Sequence, residues 1–476
     1  MAPPAPDDAT DARDAADAGA ARGAGATEVL HLTPRPELSG FGSMLQYSRR
    51  PLARFEAARR ISDRAVAFRV LGRRYIALFD LDAIEQVLVT QHAAFEKDRF
   101  TNDLSRVLGD GLLTSDGDVW RRHRKLMAPS FQRNEIAAYG AVMSERARSF
   151  VERQPLGVEF DVHSAMMNLT LDILVRALFG TEVKHAPDVE RLLEPVMRDY
   201  LPPAVAWRLL LPEWVPLGSR RRLARARREL DAILLELIAE RRRVNAGDAS
   251  DLLGRLMTVA DAEGSLSEAA LRDEAMTLFL AGHETTALSL TYGLRLLAQH
   301  PRERQALVAE LEQVLGGRTP TLRDVPNLPY TRAVLDETLR LFPPAWGLGR
   351  EPRSDVVVAG VAIPRGTQVI LCPWVMHHDA RFFAEPNRFW PERWLSQPAP
   401  PRFAYMPFGA GPRVCIGSHF ALAEAMLVLA VILQSVELEL TPQPELALMP
   451  SVTLRPRGPV LMRLLPRAGS TRAAAE

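Results

Sequence analysis

The sequence predicts a large, mainly α-helical protein with small β-sheets. Residues 267–299 read as one helix of about 30 residues, which at a rise of 1.5 Å per residue is long enough to cross a domain. Residues 420–433 are almost wholly apolar and indicate a second, buried helix. Residues 66–79 read instead as two short strands about a turn at Gly72. Long helices with occasional short strands therefore define the fold class.

The composition is that of an ordinary globular protein. Of the 476 residues, 47% are hydrophobic and 25% are charged. The net charge of +1 gives no reason to expect nucleic acid as a partner. The two cysteines, Cys372 and Cys415, do not make a disulfide framework and fit a reducing cytosol.

We expect no signal or transit peptide in the N-terminal region. No apolar run long enough to span a membrane opens the chain, and the acidic residues near its start argue against a signal or transit peptide. Residues 1–27 have too few apolar side chains to form a core, so we expect them to be disordered. We expect a cytoplasmic protein with no membrane span, one folded domain over residues 28–467 and a flexible tail over residues 468–476.

Helical spacing, caps and turn residues place the remaining elements. Asp118 is the expected N-cap of a helix ending near Met127, and Pro202-Pro203 is the expected end of another helix. The apolar segment 209–217 is expected to be a loop. Further helices are predicted over residues 81–90, 168–180, 188–201, 219–243 and 330–342. Strands are predicted within residues 355–371 and in the last part of the chain, with a turn at residues 450–452.

The stretch from Phe408 to Gly417, FGAGPRVCIG, carries the strongest chemical signal. Its glycines allow the backbone to approach a large flat ligand. Arg413, the amides of the turn and the start of the following helix favour the thiolate of Cys415, which is the form that binds iron. A lone cysteine in such a turn is more often inert packing. We also expect a packing role for Cys372, which lies in the strand-like run of residues 367–373. The complete pattern Phe-Gly-x-Gly-x-Arg-x-Cys-x-Gly makes that interpretation untenable for Cys415.

This pattern resembles the haem-binding loop of the cytochrome P450 family. The resemblance implies the cytochrome P450 fold, with haem b (iron protoporphyrin IX) sandwiched between the helix of residues 267–299 and the helix after Cys415, and with Cys415 as the metal ligand. A thiolate ligand pushes electron density onto haem iron and favours O–O bond cleavage. The resemblance also implies that Phe408 shields the sulfur and that Arg413 offsets its charge and holds a propionate. Gly417 would belong to the same cofactor site.

The middle of the long helix reads Ala-Gly-His-Glu-Thr-Thr over residues 281–286. A carboxylate and a hydroxyl within an apolar stretch are costly unless they are partnered. Taken alone, the simplest interpretation is that Thr285 bonds to its own helix and that Glu284 faces solvent. The segment resembles the family's Ala/Gly-Gly-x-Asp/Glu-Thr motif, however, which implies that Glu284 and Thr285 are catalytic residues that deliver protons. Ala281 would then lie against the haem.

Two further regions resemble the family's propionate-binding sites. Trp120 and Arg124 are four residues apart and share a helix face. They match the family's Trp-x-x-x-Arg pair, which implies that they hold a haem propionate, with His123 assisting. Arg350, in the segment after the predicted helix 330–342, matches a second propionate-binding arginine.

Glu337 and Arg340 lie three residues apart on a predicted helix. Alone they would be a surface pair worth about 0.2–0.5 kcal/mol. In the family this Glu-x-x-Arg pair is buried and is joined by an arginine from a Pro-Glu-Arg turn, which matches Arg393 here. The resemblance therefore implies a structural ion network, in which the loss of one partner costs about 3–5 kcal/mol.

The function implied by the resemblance is monooxygenation, in which one atom of O2 enters a C–H or C=C bond and the other leaves as water. A peroxide-driven peroxygenase is an alternative, but it has no need of the Glu284 and Thr285 pair. A non-catalytic haem-based sensor is a second alternative. A sensor needs no proton delivery and usually adds an output domain, for which we expect no room in the chain.

The resemblance leaves the substrate undefined. The pocket candidates are apolar or small, which indicates a lipophilic small molecule such as a fatty acid, terpenoid, steroid or macrolide. These candidates are Phe100, Phe279, Leu280, Ala345, Trp346 and Val452. Because no fused flavin reductase is expected, electrons should come from a separate ferredoxin and ferredoxin reductase. Arg121, Arg122 and Lys125 would offer an acidic ferredoxin a basic docking surface, although such a run alone is usually a solvated face.

Overall fold

The computed structural model describes residues 30–35, 38–39, 50–182, 186–201, 205, 207–209, 211–212, 214–244, 251–263 and 267–467. Side chains are described for these residues except 133–134, 137–138, 186–188, 244 and 259–263. The predicted tails at residues 1–27 and 468–476, and the predicted helix-ending prolines at 202–203, lie outside the described residues.

Helices make up most of the described chain, which confirms the predicted fold class. They are α1 (Pro51–Ile61), α2 (Leu81–Glu85), α3 (Arg99–Asp103), α4 (Ser105–Leu108), α5 (Gly117–Met127), α6 (Arg133–Arg153), α7 (Val162–Phe179), α8 (Ala186–Asp199), α9 (Gly218–Val244), α10 (Leu252–Glu263), α11 (Glu268–Gln299), α12 (Pro301–Leu315), α13 (Pro329–Leu341), α14 (Pro373–His377), α15 (Arg393–Ser396) and α16 (Ser418–Ser435).

The predicted long helix is α11, whose first turn is capped by Ser267. The Ser267 side chain accepts a hydrogen bond from the backbone N–H of Ala270 at 3.1 Å, which satisfies one of the free amides at the helix start. Two other starts differ from prediction. α5 begins at Gly117, so Asp118 lies in its first turn and is not its N-cap. α7 begins before residue 168 because Asp161 caps it by accepting from the backbone N–H of His163 at 3.0 Å.

Short strands form four small sheets within the described residues. They are β1 (Ala65–Val70), β2 (Arg73–Leu78), β3 (Phe95–Lys97), β4 (Phe160–Asp161), β5 (Leu348–Pro352), β6 (Val356–Val358), β7 (Val361–Ile363), β8 (Gln368–Leu371), β9 (Val436–Leu440), β10 (Leu448–Pro450), β11 (Leu454–Pro456) and β12 (Leu461–Pro466). The largest sheet has the order β1-β2-β8-β5-β3, and the others are β4-β12-β9, β6-β7 and β10-β11.

The predicted turn between β1 and β2 is confirmed. Leu71 and Gly72 have φ angles of +49° and +78° and join two antiparallel strands, as expected for a tight hairpin turn. At the other edge of this sheet β3 pairs antiparallel with β5, which places Lys97 directly opposite Arg350. The sheet therefore brings together two cations that are far apart in the sequence.

The apolar residues form two clusters. The larger one fills the space among α6, α7, α11 and α16, and the smaller one lies beneath the five-stranded sheet and includes Cys372, which is fully buried. α7 and α16 are long and apolar enough to cross a membrane, with mean hydropathies of 1.2 and 1.6. In each of them 67% of the residues are buried inside the protein, however, as expected for core helices of this fold.

Candidate active site

The segment from Phe408 to Gly417 folds as a tight loop that requires glycine. Gly411 has a φ of +71°, and a Cβ there would lie 1.9 Å from the carbonyl oxygen of Leu88. Only glycine fits this approach without moving the backbone. The backbone N–H of Cys415 donates to the carbonyl of Phe408 at 2.9 Å, which closes the loop immediately before α16 begins.

Cys415 faces an internal space. Its side chain is exposed, yet enough protein surrounds it that burial raises the pKa of its thiol. The Gly417 amide and Arg124 only partly offset this rise. An exposed thiol inside a protein wall is expected where a large group fits against the sulfur. A metal cation there would deprotonate the thiol outright.

The position of Arg413 corrects one sequence-based interpretation. We expected Arg413 to offset the charge of the sulfur, but its guanidinium pairs with the carboxylate of Asp116 and lies 4.3 Å from the centre of the Trp120 ring. Arg124, which was predicted only as a propionate ligand, is the arginine whose charge acts on Cys415. Asp116 directly precedes α5 and makes no side-chain capping bond to it, so its carboxylate is available to Arg413.

Three cations meet beside this loop with too little negative charge between them. Burial and the charges of Arg350 and Arg413 lower the pKa of Lys97 to about 7. Burial and Arg413 also lower the pKa of Arg350, to about 10. Like charges directly opposite each other on paired strands are destabilising, and Asp98 and Asp116 compensate them only in part.

This cluster fits a ligand that carries carboxylates. Two propionates would supply the missing negative charge at Lys97, Arg350 and Arg413, through charge-assisted hydrogen bonds. Sequence reasoning named the two arginines but missed Lys97. No local pattern marks it, since its significance comes from the pairing of β3 with β5.

The central helix α11 has an accessible face near its middle. From Leu271 to Leu297 nearly every residue of α11 is buried, but Ala281 is exposed and Thr285, one turn later, is half-buried. The Thr285 hydroxyl donates to the Ala281 carbonyl at 3.0 Å. An exposed residue in the middle of a buried helix shows that a space inside the fold adjoins this face of α11.

Glu284 points to a neighbouring face of α11 and is ion-paired. The Nε of Arg455 donates to Glu284 Oε1 at 2.6 Å, and the Thr453 hydroxyl donates to the same oxygen. Burial alone would raise the pKa of Glu284, but Arg455 and Thr453 together lower it below its ordinary value. The structure therefore holds Glu284 as a carboxylate. The prediction that Glu284 delivers protons therefore requires that its carboxylate first accepts one.

His123 lies on the inner face of α5 with Trp120 and Arg124, whereas Arg121, Arg122 and Lys125 are exposed on the outer face. Its Nδ1 is 2.6 Å from Oε1 of Glu274 on α11, and both side chains are buried. This contact was not foreseen, because the two residues lie on different helices. It leaves Nε2 as the nitrogen that is available to the predicted propionate.

Comparisons with known proteins agree with this geometry. A family model described as Cytochrome P450 matches residues 33–462. The chain belongs to the cytochrome P450 family. It is 35% identical to cyclooctatin synthase of Streptomyces melanosporofaciens over 81% of this chain and 85% of that protein. It is 34% identical to cyclooctat-9-en-7-ol 5-monooxygenase of the same organism over 76% of this chain and 79% of that protein.

Solved structures give the same result. The crystal structure of the cytochrome P450DA heme domain superposes with a TM-score of 0.79 and 27% sequence identity, covering 92% of this chain and 97% of that chain. The predicted family, fold class and haem cofactor are thus confirmed. This protein is a cytochrome P450 monooxygenase that uses haem.

The P450 pocket candidates divide into two groups. The β10–β11 hairpin carries Val452 and is joined to the segment of Ala345 and Trp346, because Trp346 Nε1 donates to the Ser451 carbonyl at 3.0 Å. The backbone N–H of Leu454 also donates to the Pro344 carbonyl at 2.9 Å. The structure thus brings Ala345, Trp346 and Val452 to one place.

Phe279 does not line this P450 pocket, contrary to expectation. It is fully buried, and its ring stacks on Phe179 of α7 with 6.5 Å between ring centres. It lies two positions before Ala281, so the two side chains point to opposite faces of α11. Leu280 adjoins the open face and is 8% exposed. Phe100 is half-buried on α3.

The predicted ion network of Glu337, Arg340 and Arg393 is assembled in the interior. Arg340 donates to both oxygens of Glu337, at 2.8 and 2.9 Å, and Arg393 Nε donates to Oε1 at 3.1 Å. Trp394 Nε1 donates to Oε2 at 2.9 Å, and the Trp390 backbone donates to Oε1 at 3.0 Å. The carboxylate is fully satisfied, and the network joins α13 to α15.

Proposed function

We propose that this P450 inserts one oxygen atom of O2 into a lipophilic small molecule, by hydroxylation or epoxidation. The observation that carries the proposal is the face of α11 at Ala281 and Thr285. This face is open inside the fold, and the residue directly before Thr285 is Glu284, whose carboxylate is buried. When bound, haem supplies the redox and O2 chemistry. The residues of the chain must bind the substrate, exclude water and move protons.

The lining that we assign to the pocket supports a lipophilic substrate. Leu280 adjoins the open face of α11, and Ala345 and Val452 are apolar. Trp346 adds a large ring whose N–H is already bonded to the Ser451 carbonyl. Such a wall favours apolar surface over charged groups. A relative is named a monooxygenase of cyclooctat-9-en-7-ol, an alkenol by its printed name. This supports the same class of substrate here without identifying it.

Thr285 and Glu284 are proposed to handle protons. A hydroxyl both donates and accepts, so the Thr285 hydroxyl can turn from the Ala281 carbonyl toward the open side of α11. Glu284 is held as a carboxylate by Arg455, so it acts first as a proton acceptor and passes on a proton that arrives from outside. Arg455 and Thr453 then determine when Glu284 carries that proton.

We propose the cofactor contacts as follows. Cys415 would ligate the iron, Phe408 and Gly417 would belong to the same cofactor site, and Ala281 would contact the haem. The propionates are held by Trp120, His123, Arg124, Arg350 and Arg413, to which we add Lys97. The support is the unmatched positive charge at Lys97 and Arg350.

Electrons are proposed to come from a separate ferredoxin and its reductase, in the cytoplasm. The support is the outer face of α5, where Arg121, Arg122 and Lys125 are exposed. Arg121 pairs with Asp118, an exposed residue of the same helix, so Arg122 and Lys125 contribute most of the net charge. A small acidic iron–sulfur protein would complement this surface.

The test is to trace the inserted atom. The purified holoprotein is supplied with a surrogate ferredoxin, its reductase, a nicotinamide cofactor and ¹⁸O2, and lipophilic compounds are screened first for a shift of the haem absorption on binding. A bound compound should gain one ¹⁸O atom. If label enters only from H2¹⁸O2 and never from ¹⁸O2, the protein is instead a peroxygenase. If no label enters from either source into any compound that shifts the spectrum, the proposal of oxygen insertion is wrong.

A further inference from the structure

A buried ion pair joins the helix of the propionate candidates to the central helix. Nδ1 of His123 on α5 lies 2.6 Å from Oε1 of Glu274 on α11, and the two side chains are 8% and 1% exposed. Apart from this contact, neither His123 Nδ1 nor the oxygens of Glu274 have a hydrogen-bond partner among the described residues. Within the same part of the chain, no arginine or lysine forms an ion pair with Glu274. A carboxylate buried to this degree therefore depends on His123 for its charge balance.

Backbone contacts hold Glu274 in place opposite α5. The side chain of Arg272 donates to the carbonyls of the last two residues of α4, at 3.1 and 3.2 Å. The segment that leads from α4 to α5 also packs directly on α11, because a Cβ at Gly111 would lie 2.7 Å from the Asp273 carbonyl oxygen. The position of Glu274 is therefore set by the surrounding fold and not only by its contact with His123.

The Glu274–His123 pair needs two protons before it can hold a propionate. A nitrogen and a carboxylate oxygen 2.6 Å apart share one proton, because without it their lone pairs would repel each other. With that single proton the pair has a net charge of −1, and Nε2 of His123 carries no hydrogen. A second proton makes the pair neutral and places a hydrogen on Nε2. This is true both for an imidazolium beside a carboxylate and for an imidazole beside a carboxylic acid.

We propose that Glu274 is a positioning residue that makes the binding of haem by this protein take up a proton. It acts through His123. The pair accepts one proton from water on binding of haem, and the N–H at Nε2 of His123 then donates to a propionate. The inference rests on the proposed function, since it takes His123 as a propionate ligand. The haem-bound protein then holds one proton more than the haem-free protein, so its affinity for haem falls as pH rises.

Other charged groups near the pair must be separated from its effect. Lys97 also changes charge near neutral pH, because burial and two neighbouring arginines lower its pKa to about 7. On α11 the neighbour of Glu274 is Asp273, whose carboxylate pairs with Arg272 at 2.7 Å. The arginines of the proposed propionate site, which are Arg124, Arg350 and Arg413, keep their charge near neutral pH. Lys97 is therefore the group whose titration the experiment must cancel.

The experiment measures the release of haem from the ferric holoprotein between about pH 6 and about pH 9, a range that covers the ordinary titration of histidine. Release is followed as transfer of haem to excess apomyoglobin. The variant is Glu274→Gln, whose amide has the shape of the protonated acid and can donate to Nδ1, so that Nε2 keeps its hydrogen without an added proton. Asp273→Asn is the matched control, because it removes the neighbouring negative charge, which pairs with Arg272 and not with His123.

We expect wild type to release haem about tenfold faster than Glu274→Gln at the high end of this pH range, because wild type loses a charge-assisted hydrogen bond as the pair gives up its second proton. At the low end the two proteins should differ by less than about twofold, since both then present an N–H at Nε2. Asp273→Asn should follow the pH profile of wild type. Lys97 is present in all three proteins, so its titration cancels from these ratios.

A ratio of wild type to Glu274→Gln that is the same at every pH would mean that Glu274 only supports the fold. An equally flattened profile in Asp273→Asn would mean that any negative charge on this part of α11 has the same effect. Either result overturns the inference. Neither bears on the proposed function, because release of haem requires no oxygen insertion.

A second measurement decides if Glu274→Gln does not retain haem on purification. The protons liberated with haem are counted with an indicator dye at about pH 8, on the alkaline side of the ordinary histidine range. The count is made in Lys97→Met and in Lys97→Met with His123→Gln, so that the shares of Lys97 and of the haem acceptor cancel from the difference. A difference of about one proton per haem supports the proposal, and no difference contradicts it.

Discussion

The Nε of Arg455 donates to Oε1 of Glu284 across 2.6 Å, and the two side chains are only 6% and 2% exposed. A carboxylate in this setting keeps its charge, because the arginine offsets the cost of burial. Glu284 therefore differs from its neighbour Thr285, which has no charge and lies at the open face of α11. The two residues should fail in different ways when they are replaced.

Thr285→Ala should leave substrate binding unchanged and divert reducing equivalents to peroxide, because the open face loses its hydroxyl. Coupling is measured as product formed per nicotinamide cofactor oxidised, together with the peroxide released. The control is Thr286→Ala, since the Thr286 hydroxyl faces the Gly282 carbonyl and its residue is buried on another face. Equal coupling in Thr285→Ala and wild type would mean that the Thr285 hydroxyl only bonds to its own helix and does not deliver protons.

Glu284→Gln should slow turnover by about 100-fold or more, the lower range for loss of a proton-transfer group. It should also lower the melting temperature, because Arg455 is left as a buried cation without its counter-charge. Adding Arg455→Met removes that cation, so stability should recover while turnover stays slow. If turnover recovers together with stability in the double variant, Glu284 serves the fold and not proton transfer.

The sequence predicted the ligand loop and the elements around it because both depend on local pattern. Glycines at Gly409 and Gly411, a cysteine and an apolar helix follow each other within one short stretch, and the structure builds a loop that requires Gly411. The turn at Gly72 was predictable for the same reason. What escaped prediction depends on pairing across the fold, as with Lys97 opposite Arg350 and Arg455 beside Glu284.

Contacts between distant parts of the chain explain why two residues differ from their predicted roles. Phe279 has the composition of a pocket residue, but its side chain points to α7, on the face opposite Ala281. Arg413 lies in the loop as its motif predicts, but its charge is paired with the carboxylate of Asp116, which comes from the residue before α5. In both cases the residue type was informative, and only its partner in space decided its role.

Cys415 should be the iron ligand in solution. Cys415→His should abolish the red-shifted absorption band of the reduced carbon-monoxide complex, because that band requires a thiolate ligand. Cys372→Ser is the matched control. Cys372 is fully buried beneath the five-stranded sheet, burial raises the pKa of its thiol to about 12, and its Sγ lies 3.4 Å from the Trp346 carbonyl. Loss of the band in Cys372→Ser but not in Cys415→His would reverse the assignment.

Lys97→Met should release haem about tenfold faster than wild type, since a charge-assisted hydrogen bond is worth about 1.5–3 kcal/mol. Release is followed as transfer of haem to excess apomyoglobin. Arg353→Met is the control, because Arg353 follows the same sheet edge but is 47% exposed and pairs with Glu96 at 3.2 Å. Equal release from Lys97→Met and wild type would show that the cation cluster is not a propionate site.

Glu424 should make stability depend on pH. It is fully buried on α16, and among the described residues no basic side chain offsets its charge there; the group that acts on its carboxylate is the Thr286 hydroxyl of α11. Burial raises its pKa well above 4.5, and Thr286 only partly opposes this. With the folded pKa above the unfolded one, the stability it contributes is complete below pH 4.5 and is lost as pH rises toward the folded value.

Glu424→Gln replaces the neutral acid by a neutral amide of the same shape and should remove that dependence. Both proteins are unfolded by denaturant at a series of pH values above 4.5. The free energy of unfolding of the variant should rise relative to that of wild type by up to about 1.4 kcal/mol for each pH unit. Glu437→Gln is the control, since the Glu437 side chain on β9 is 37% exposed. Parallel stability curves for Glu424→Gln and wild type would mean that Glu424 is not neutral in the fold.

The outer face of α5 should be the docking surface for the electron donor. Arg122 and Lys125 are exposed there, and Arg121 has a side chain that is 65% exposed and pairs with Asp118. Arg121→Glu with Arg122→Glu should slow reduction by an acidic ferredoxin about tenfold or more at low salt, because steering by opposite charge raises association rates. The difference should shrink as ionic strength rises, since surface charges are screened. Reduction is followed by stopped-flow formation of the carbon-monoxide complex.

Two controls separate docking from damage to the haem site. Arg225→Glu with Arg227→Glu reverses two charges on α9, whose side chains are 74% and 40% exposed, and it should be reduced at the wild-type rate. Peroxide-driven turnover and azole binding of the α5 variant should also match wild type, because neither needs the ferredoxin. Arg124→Ala, one residue from the inner His123, should instead lose haem. If the α5 variant is reduced at the wild-type rate at low salt, or if the α9 variant is slowed equally, the basic residues of α5 form only a solvated face.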